Sequence, residues 1–324
     1  MIPLDKLRAI THVVVHGPAC PDGISSALIL KDALPDVRVS FLSYETAEHK
    51  ALAAEPGLLF CDFSPPRDRV QEFVAAGAIC LDHHLTAKDV VEAFGENGVF
   101  GLNDKNECGA WLAYEHVWKR FADEYDLSDD LGRAQVRCFA ELAAVRDTWK
   151  TADPRWRQAC EQAEMLLFFP FEEQKLGRMV NGDDYLLVGH WLVEKKLAAA
   201  RKSIGEAHHF ITLKGTRVLV FQGVVATSDA AELVERKGSA GSSHPEAIRP
   251  TDIVVGFHYG VDSGKLKLQF SMRSHTGYDV GAFAKHHGGG GHKAAAGFTV
   301  EVSPEMSANP YQLFRLLLEE WEGR

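Results

Sequence analysis

The chain has 324 residues, 46% apolar and 25% charged, the balance of a globular protein long enough for two domains. Its formal net charge of −10 argues against a surface built to capture long nucleic acid, which needs basic tracks, but allows a small phosphorylated ligand held locally. No apolar run reaches the roughly 18 residues that span a bilayer, no signal-peptide core is evident, and six cysteines make no C-x-x-C pair, so reduced thiols in the cytoplasm are expected.

Thr11–His16 reads as a short β-branched strand, followed by a turn and a helix over Asp22–Ala33 that Asp22 can cap. Val37–Leu42 and Leu58–Asp62 are the next strands, the latter stopped by Ser64-Pro65-Pro66. Arg67–Ala76 is helical and Ala78–Asp82 is a fourth strand. Strands alternating with helices predict βαβ units and a parallel sheet. Helices are expected at Gly109–Tyr125, Leu131–Trp149, Arg155–Phe168 and Asp184–His209, the last as a connector between domains. A second mixed region has strands at Arg217–Phe221, Ile253–Tyr259 and Lys265–Arg273, the last two joined as a hairpin. The Gly-, Ser- and Pro-rich stretch Gly238–Pro250 is expected to be a mobile loop.

Four glycines, Gly288–Gly291, then precede His292 and Lys293. Glycine carries an entropic cost on folding, and its use is close approach of bare amides to a ligand. The run therefore predicts an anion-binding nest, with Lys293-Ala-Ala-Ala starting a helix whose positive end faces the same anion. A flexible linker is the bland alternative.

In the first half, polar residues fall at strand ends. His16 closes the first strand and Asp22 begins the helix after it; Asp62 closes the third strand, and Asp82-His83-His84 closes the fourth. The carboxyl ends of parallel strands line the ligand crevice of such a sheet. Any one of these acids alone reads as a cap, but three such ends together point to a metal site, and His with carboxylate suits Mn²⁺, Fe²⁺, Co²⁺ or Zn²⁺.

Asp82-His83-His84 resembles the signature of the DHH phosphoesterases. His16 with Pro21-Asp22-Gly23 is similar to their first motif, Asp62 to the second, and the helix-borne Asp147 of Arg146-Asp147-Thr148 to the fourth. Gly288–His292 with Ala294–Gly297, and Ser271-Met-Arg273-Ser274 before it, resemble the DHH-associated C-terminal domain. The resemblance implies an α/β fold in which a parallel-sheet catalytic domain (1–190) and a helical linker (191–212) precede a smaller α/β domain (213–324), with the active site in the cleft between the domains.

The resemblance also implies that Asp62 bridges two divalent ions, usually Mn²⁺. Asp22, His83 and Asp147 would complete one shell, His16 would bind the second ion, Asp82 would orient His83, and His84 would meet the scissile phosphate. Arg273, Ser274, Gly289, Gly290, Gly291 and His292 would grip the substrate. One departure stands out: Cys20 occupies the place of the first motif's earlier aspartate. As a ligand it would favour Zn²⁺, Fe²⁺ or Co²⁺; as a packed neutral thiol it would leave the second ion weak, and both readings stay open. The implied reaction is hydrolysis of short oligonucleotides or small nucleotides, in the manner of nanoRNases or on 3′-phosphoadenosine-5′-phosphate, by attack of a metal-bound hydroxide. Cyclic dinucleotide hydrolysis, RecJ-like exonuclease action and a non-catalytic nucleotide-binding protein are the alternatives. No membrane partner is expected, and a homodimer is left open.

Overall fold

The computed structural model describes residues 2–105, 107–125, 130–181, 183–223, 227–239, 251–262, 264–274, 276–303 and 309–323. It divides into two units, Met1–Val193 and Glu194–Arg324.

In the first unit, β1 (His12–His16), β2 (Arg38–Leu42), β3 (Leu58–Cys61), β4 (Ile79–Asp82) and β5 (Gly98–Phe100) form one sheet in the order β2-β1-β3-β4-β5, every pairing parallel. The interiors of its central strands are apolar because both faces are covered. Val13, Val15, Leu59 and Leu81 pack on one face with Ile24 and Leu28 of helix α1 (Pro21–Ala33), while Val14, Phe60 and Cys80 face a second cluster around Phe73. β5 escapes sequence reading because three residues are too few to show a period. The segment expected as one helix over 109–125 is three pieces: α2 (Gly109–Ala113), a π turn (Tyr114–Trp118) and a last turn (Lys119–Glu124). Helices α3 (Asp130–Asp147) and α4 (Trp156–Phe168) follow. The tryptophan between them, Trp149, packs edge-on to Trp156 at 5.0 Å and under the Arg146 guanidinium.

Helix α5 (Asp183–Gly205) crosses the division between the units. It ends before the point expected, and His208–Ile211 is strand β6 rather than the end of a helical linker. In the second unit β6 joins β7 (Arg217–Gln222), β8 (Ile253–Asp262), β9 (Lys265–Ser274), β10 (Gly290–His292) and β11 (Ala295–Glu301) in the order β10-β11-β9-β8-β7-β6. β8 and β9 form the expected antiparallel hairpin. Helices α6 (Thr227–Ser239), α7 (Val280–His286) and α8 (Pro310–Glu322) complete the unit, around a core holding Phe257, Phe270, Phe283, Phe298 and Phe314. Most of the loop expected to be mobile, residues 240–250, lies outside the described residues, as does His275.

The helix expected from Lys293 is absent, and Ala295–Glu301 is β11, paired to β10 and β9. Alanine's helix preference yields because Ala296 and Phe298, two residues apart, are buried on one face of the sheet.

Candidate metal centre

The parallel sheet delivers its polar residues to one edge. His16 ends β1, Asp62 follows β3, and Asp82 ends β4 with His83 and His84 directly after it, on three strands that are neighbours in the sheet. Helix α1 adds Cys20 at its N-cap and Asp22 in its first turn, and α3 ends on Asp147. Three overlapping groups result: His16, Cys20 and Asp62; Asp62, His83 and His84; Asp22, His83 and Asp147. Within each group the potential ligand atoms lie within 4.8 Å of one another.

Asp62 joins the groups. It is 1% exposed and holds φ at +56°, a left-handed conformation uncommon for a residue with a side chain. Its Oδ1 lies 3.1 Å from His83 Nε2 and 3.9 Å from His84 Nδ1. Its Oδ2 accepts from Cys20 Sγ at 3.5 Å and lies 3.9 Å from His16 Nδ1. The two oxygens of one carboxylate thus face two different donor sets.

Asp22 is fixed from the other side. Its carboxylate accepts from the amides of Gly109 (2.7 Å) and Ala110 (2.8 Å), the first residues of α2, and from the Cys108 thiol (3.0 Å). These amides have no partner inside their own helix, so Asp22 satisfies them while facing His83 Nε2 at 3.6 Å. A side chain at 109 would not fit, since a Cβ there would lie 2.3 Å from Asp62 Cβ and 2.9 Å from Ser26 Oγ.

Asp82 touches both histidines after β4. The His84 ring donates from Nδ1 to Asp82 Oδ1 at 2.7 Å. The same oxygen accepts the backbone N–H groups of His83 (2.7 Å) and His84 (3.1 Å), so the turn after β4 wraps around it. Oδ2 accepts from Ser64 Oγ (2.5 Å) and Tyr44 OH (3.2 Å). Sequence reading missed Ser64 and Tyr44. Ser64 lies two residues after Asp62, close enough to have been considered, whereas Tyr44 is brought in from beyond β2 and left no signal.

The electrostatics follow from this crowding. Burial raises the Asp62 carboxyl well above its ordinary range, and the neighbouring Asp22 carboxylate raises it further. Desolvation and then Asp22 also push Asp147 up, although that residue keeps one side open to solvent. For Asp82, burial opposes ionisation, but the hydrogen bonds from His84 and Ser64 outweigh it and hold the carboxyl below its usual value. Burial opposes charge on His83 as well, yet its hydrogen bond to Asp62 and the charges of Asp22 and Asp147 outweigh that and lift its pKa to about 11.

One nitrogen faced by three carboxylates cannot bond them all, whereas a divalent cation can. His16 Nδ1 is likewise buried with no hydrogen-bond partner among the described residues. This donor set fits divalent metal ions.

A pH test follows. Because the folded pKa of His83 is raised above 6.5, its protonated form contributes fully below that value, and the contribution fades as pH climbs toward about 11. A metal ion must displace this proton. The metal-induced rise in Tm is therefore expected to grow between about pH 6 and about pH 9. A rise that stays flat in thermal melts across that range would remove His83 from the shell.

In the second unit, Arg273 on β9 pairs with Ala295 on β11, which in turn pairs with His292 on β10. The Arg273 Nη2 donates to Ser228 Oγ at 2.9 Å and Nη1 to the Met272 carbonyl at 2.9 Å. The Ser274 amide donates to the Ala294 carbonyl at 2.9 Å, and its Oγ is buried without a partner among the described residues. The His292 side chain lies outside the described residues.

Two amides of the glycine run are bonded within the chain. The amides of Gly288 and Gly289 donate to the carbonyls of Lys285 (3.1 Å) and Ala284 (2.8 Å), closing α7, and Gly290 and Gly291 lie in β10. The run sits at the C-terminal, negative end of a helix and leads into the edge strand of its sheet. Close packing explains the glycine at 289, where a Cβ would lie 2.2 Å from the Gly297 carbonyl oxygen.

Residues 239–319 match the DHHA1 domain family. No curated protein gives a significant match in sequence. Among solved structures, the fold is similar to a DHH domain from a protein described as belonging to a family of ribosomal proteins (12% identity, 97% of this chain and 87% of that one, TM-score 0.58). It is also similar to an exopolyphosphatase-related protein from Bacteroides fragilis (13% identity, 99% and 95%, TM-score 0.50). A third similar structure is RecJ from Thermus thermophilus in complex with Mn²⁺ (18% identity, 100% of this chain and 55% of that one, TM-score 0.52).

Proposed function

We propose that this chain, a phosphoesterase of the DHH family by its fold and its DHHA1 domain, is a metal-dependent phosphodiesterase acting on short oligonucleotides or small nucleotides. The observation that carries the reading is Asp62, whose two oxygens face two donor sets at the carboxyl edge of a parallel sheet. Asp22, Asp62, His83 and Asp147 would hold one divalent ion, and His16 with Asp62 a second. Bound ions supply Lewis-acid charge at the phosphoryl oxygens and lower the pKa of a water. Mn²⁺ is the natural first choice for the oxygen- and nitrogen-rich position, and RecJ, which shares the fold, was solved with that ion.

The chain's own residues set the rest. Asp82 is ionised and can only accept from His84 Nδ1, which leaves His84 Nε2 as the ring atom available to the phosphate or leaving group. Tyr44, Ser64 and two backbone amides hold Asp82, so the His84 ring is positioned before substrate arrives. In the DHHA1 domain, Arg273 and Lys293 near the β10–β11 hairpin supply positive charge for a terminal phosphate. Recognition of a terminus, on a chain of net charge −10, favours short substrates over long strands.

The test is a turnover panel of pGpG, longer RNA, single-stranded DNA, 3′-phosphoadenosine-5′-phosphate and cyclic dinucleotides, with Mn²⁺, Co²⁺ or Zn²⁺ present. Mononucleotide release from the shortest substrates is expected, and preference for long DNA would overturn the substrate reading. His84→Ala is expected to lower kcat by roughly a hundred- to a thousandfold, the scale of losing one preorganised stabilising group, with metal content unchanged. Equal inertness of wild type and variant with every metal would leave a nucleotide-binding protein instead.

A further inference from the structure

We propose that Cys20 is a metal ligand, and that the His16–Cys20–Asp62 position takes a thiophilic ion, zinc above all, beside an oxygen- and nitrogen-lined position for a harder one. The inference rests on the metal-dependent reading above only for the presence of ions.

Geometry separates the two positions. Asp62 Oδ1 faces the histidines after β4, at 3.1 Å from His83 Nε2, while Oδ2 faces Cys20 Sγ at 3.5 Å and His16 Nδ1 at 3.9 Å. The Oδ2 side holds one imidazole nitrogen, one sulfur and one carboxylate oxygen, all within 4.8 Å of one another. Its imidazole atom, His16 Nδ1, is buried with no hydrogen-bond partner among the described residues, an arrangement that is costly unless an acceptor site or an ion completes it.

The buried cysteines near the site do not share this placing. Cys61 Sγ donates to the Gly109 carbonyl, Cys80 Sγ contacts Ser64 Oγ, and Cys108 Sγ donates to Asp22 Oδ1. Among the described residues, only the Cys20 sulfur is grouped with both a histidine nitrogen and a carboxylate.

The chemistry then decides the ion. Sulfur ligands select softer ions, and an N/O/S site binds Mn²⁺ weakest and Zn²⁺ or Cu²⁺ far more tightly among the first-row divalent ions. Asp22, Asp62, His83 and Asp147 offer the opposite balance, three carboxylates to one imidazole, which suits Mn²⁺ or Mg²⁺. The thiol proton leaves to solvent as the ion binds. The molecule is thus arranged for two unlike ions that share Asp62.

Cobalt reports this directly. Purified protein is loaded with Co²⁺, its metal content measured, and its absorption spectrum recorded. Wild type is expected to bind two ions per chain and to show a near-ultraviolet thiolate-to-cobalt charge-transfer band. Cys20→Asp should lose that band and keep the visible cobalt bands, and the isosteric Cys20→Ser should lose it too, with melts confirming the fold of both. In competition, Cys20→Asp should shift the Zn²⁺-over-Mn²⁺ preference toward manganese by roughly ten- to a hundredfold. Failure of wild type to bind a second ion, absence of the band, or its persistence in both variants would overturn the assignment. Turnover is not the readout: a band in a protein inert on every nucleotide would sink the phosphodiesterase reading alone.

Discussion

Asp62→Asn is expected to lower turnover by roughly a thousandfold or more, the upper end of what one preorganised electrostatic group contributes, and to do so without unfolding the protein. Asparagine has the same shape, but it replaces one charged oxygen with an amide nitrogen that cannot ligate a cation. Both donor sets draw on this carboxylate, Oδ1 toward His83 and Oδ2 toward Cys20 and His16, so both weaken at once. Stability should move the other way. The folded-state pKa of Asp62 is raised above its ordinary 3.8, so ionising it opposes folding at every pH above that value, increasingly up to the folded pKa. Removing the charge relieves that penalty, and the metal-free variant should melt at the wild-type temperature or above while losing the metal-induced rise. Melts with and without Mn²⁺, with kcat on pGpG, check both halves. A variant that keeps its metal-induced rise would take Asp62 out of the centre.

Gly109→Ala should damage the same centre from a residue that carries no functional group. The added methyl would lie 2.3 Å from Asp62 Cβ, 2.9 Å from Ser26 Oγ and 3.0 Å from Asp22 Oδ2, distances that force one of them to move. Overpacking of this kind costs about 1–3 kcal/mol, which corresponds to several degrees of Tm in a unit of this size. The shift must also disturb Asp22, whose carboxylate is held by the Gly109 and Ala110 amides. Metal affinity is therefore expected to fall by roughly tenfold or more, as for other changes that displace a ligand's support. Gly177→Ala, where no neighbouring heavy atom lies within 4 Å of an added Cβ, is the control and should leave metal binding intact. Equal metal affinity in Gly109→Ala and wild type would show that the centre tolerates displacement of Asp22.

Much of the first unit was legible because a parallel sheet buried on both faces writes itself as short apolar runs. Val13–Val15, Leu58–Cys61 and Ile79–Leu81 are such runs, and a charge or imidazole placed just after one of them has to emerge at the carboxyl edge. That is why the sequence alone groups His16, Asp62 and Asp82–His84. Runs too short or too context-dependent were lost. β5 has three residues, and β11 is alanine-rich, made a strand only by its place between β9 and β10.

The order of residues alone determined the fold class, the edge of the sheet on which chemistry gathers, and which acids and histidines gather there. For the strand-end groups this follows from periodicity and from where polar side chains interrupt it, whereas Asp147 came only from the family resemblance. Only the tertiary structure decided how those groups are shared. It placed Asp82 under the His84 ring, pointed the two oxygens of Asp62 at different donors, and turned Cys20 toward one of them. It also closed the glycine run into a helix end and a hairpin. The reason is the same in each case. Strand ends are set by local pattern, but the partner of a carboxylate oxygen or a backbone amide is set by which distant segment arrives within about 3 Å, the hydrogen-bond distance that no local pattern encodes.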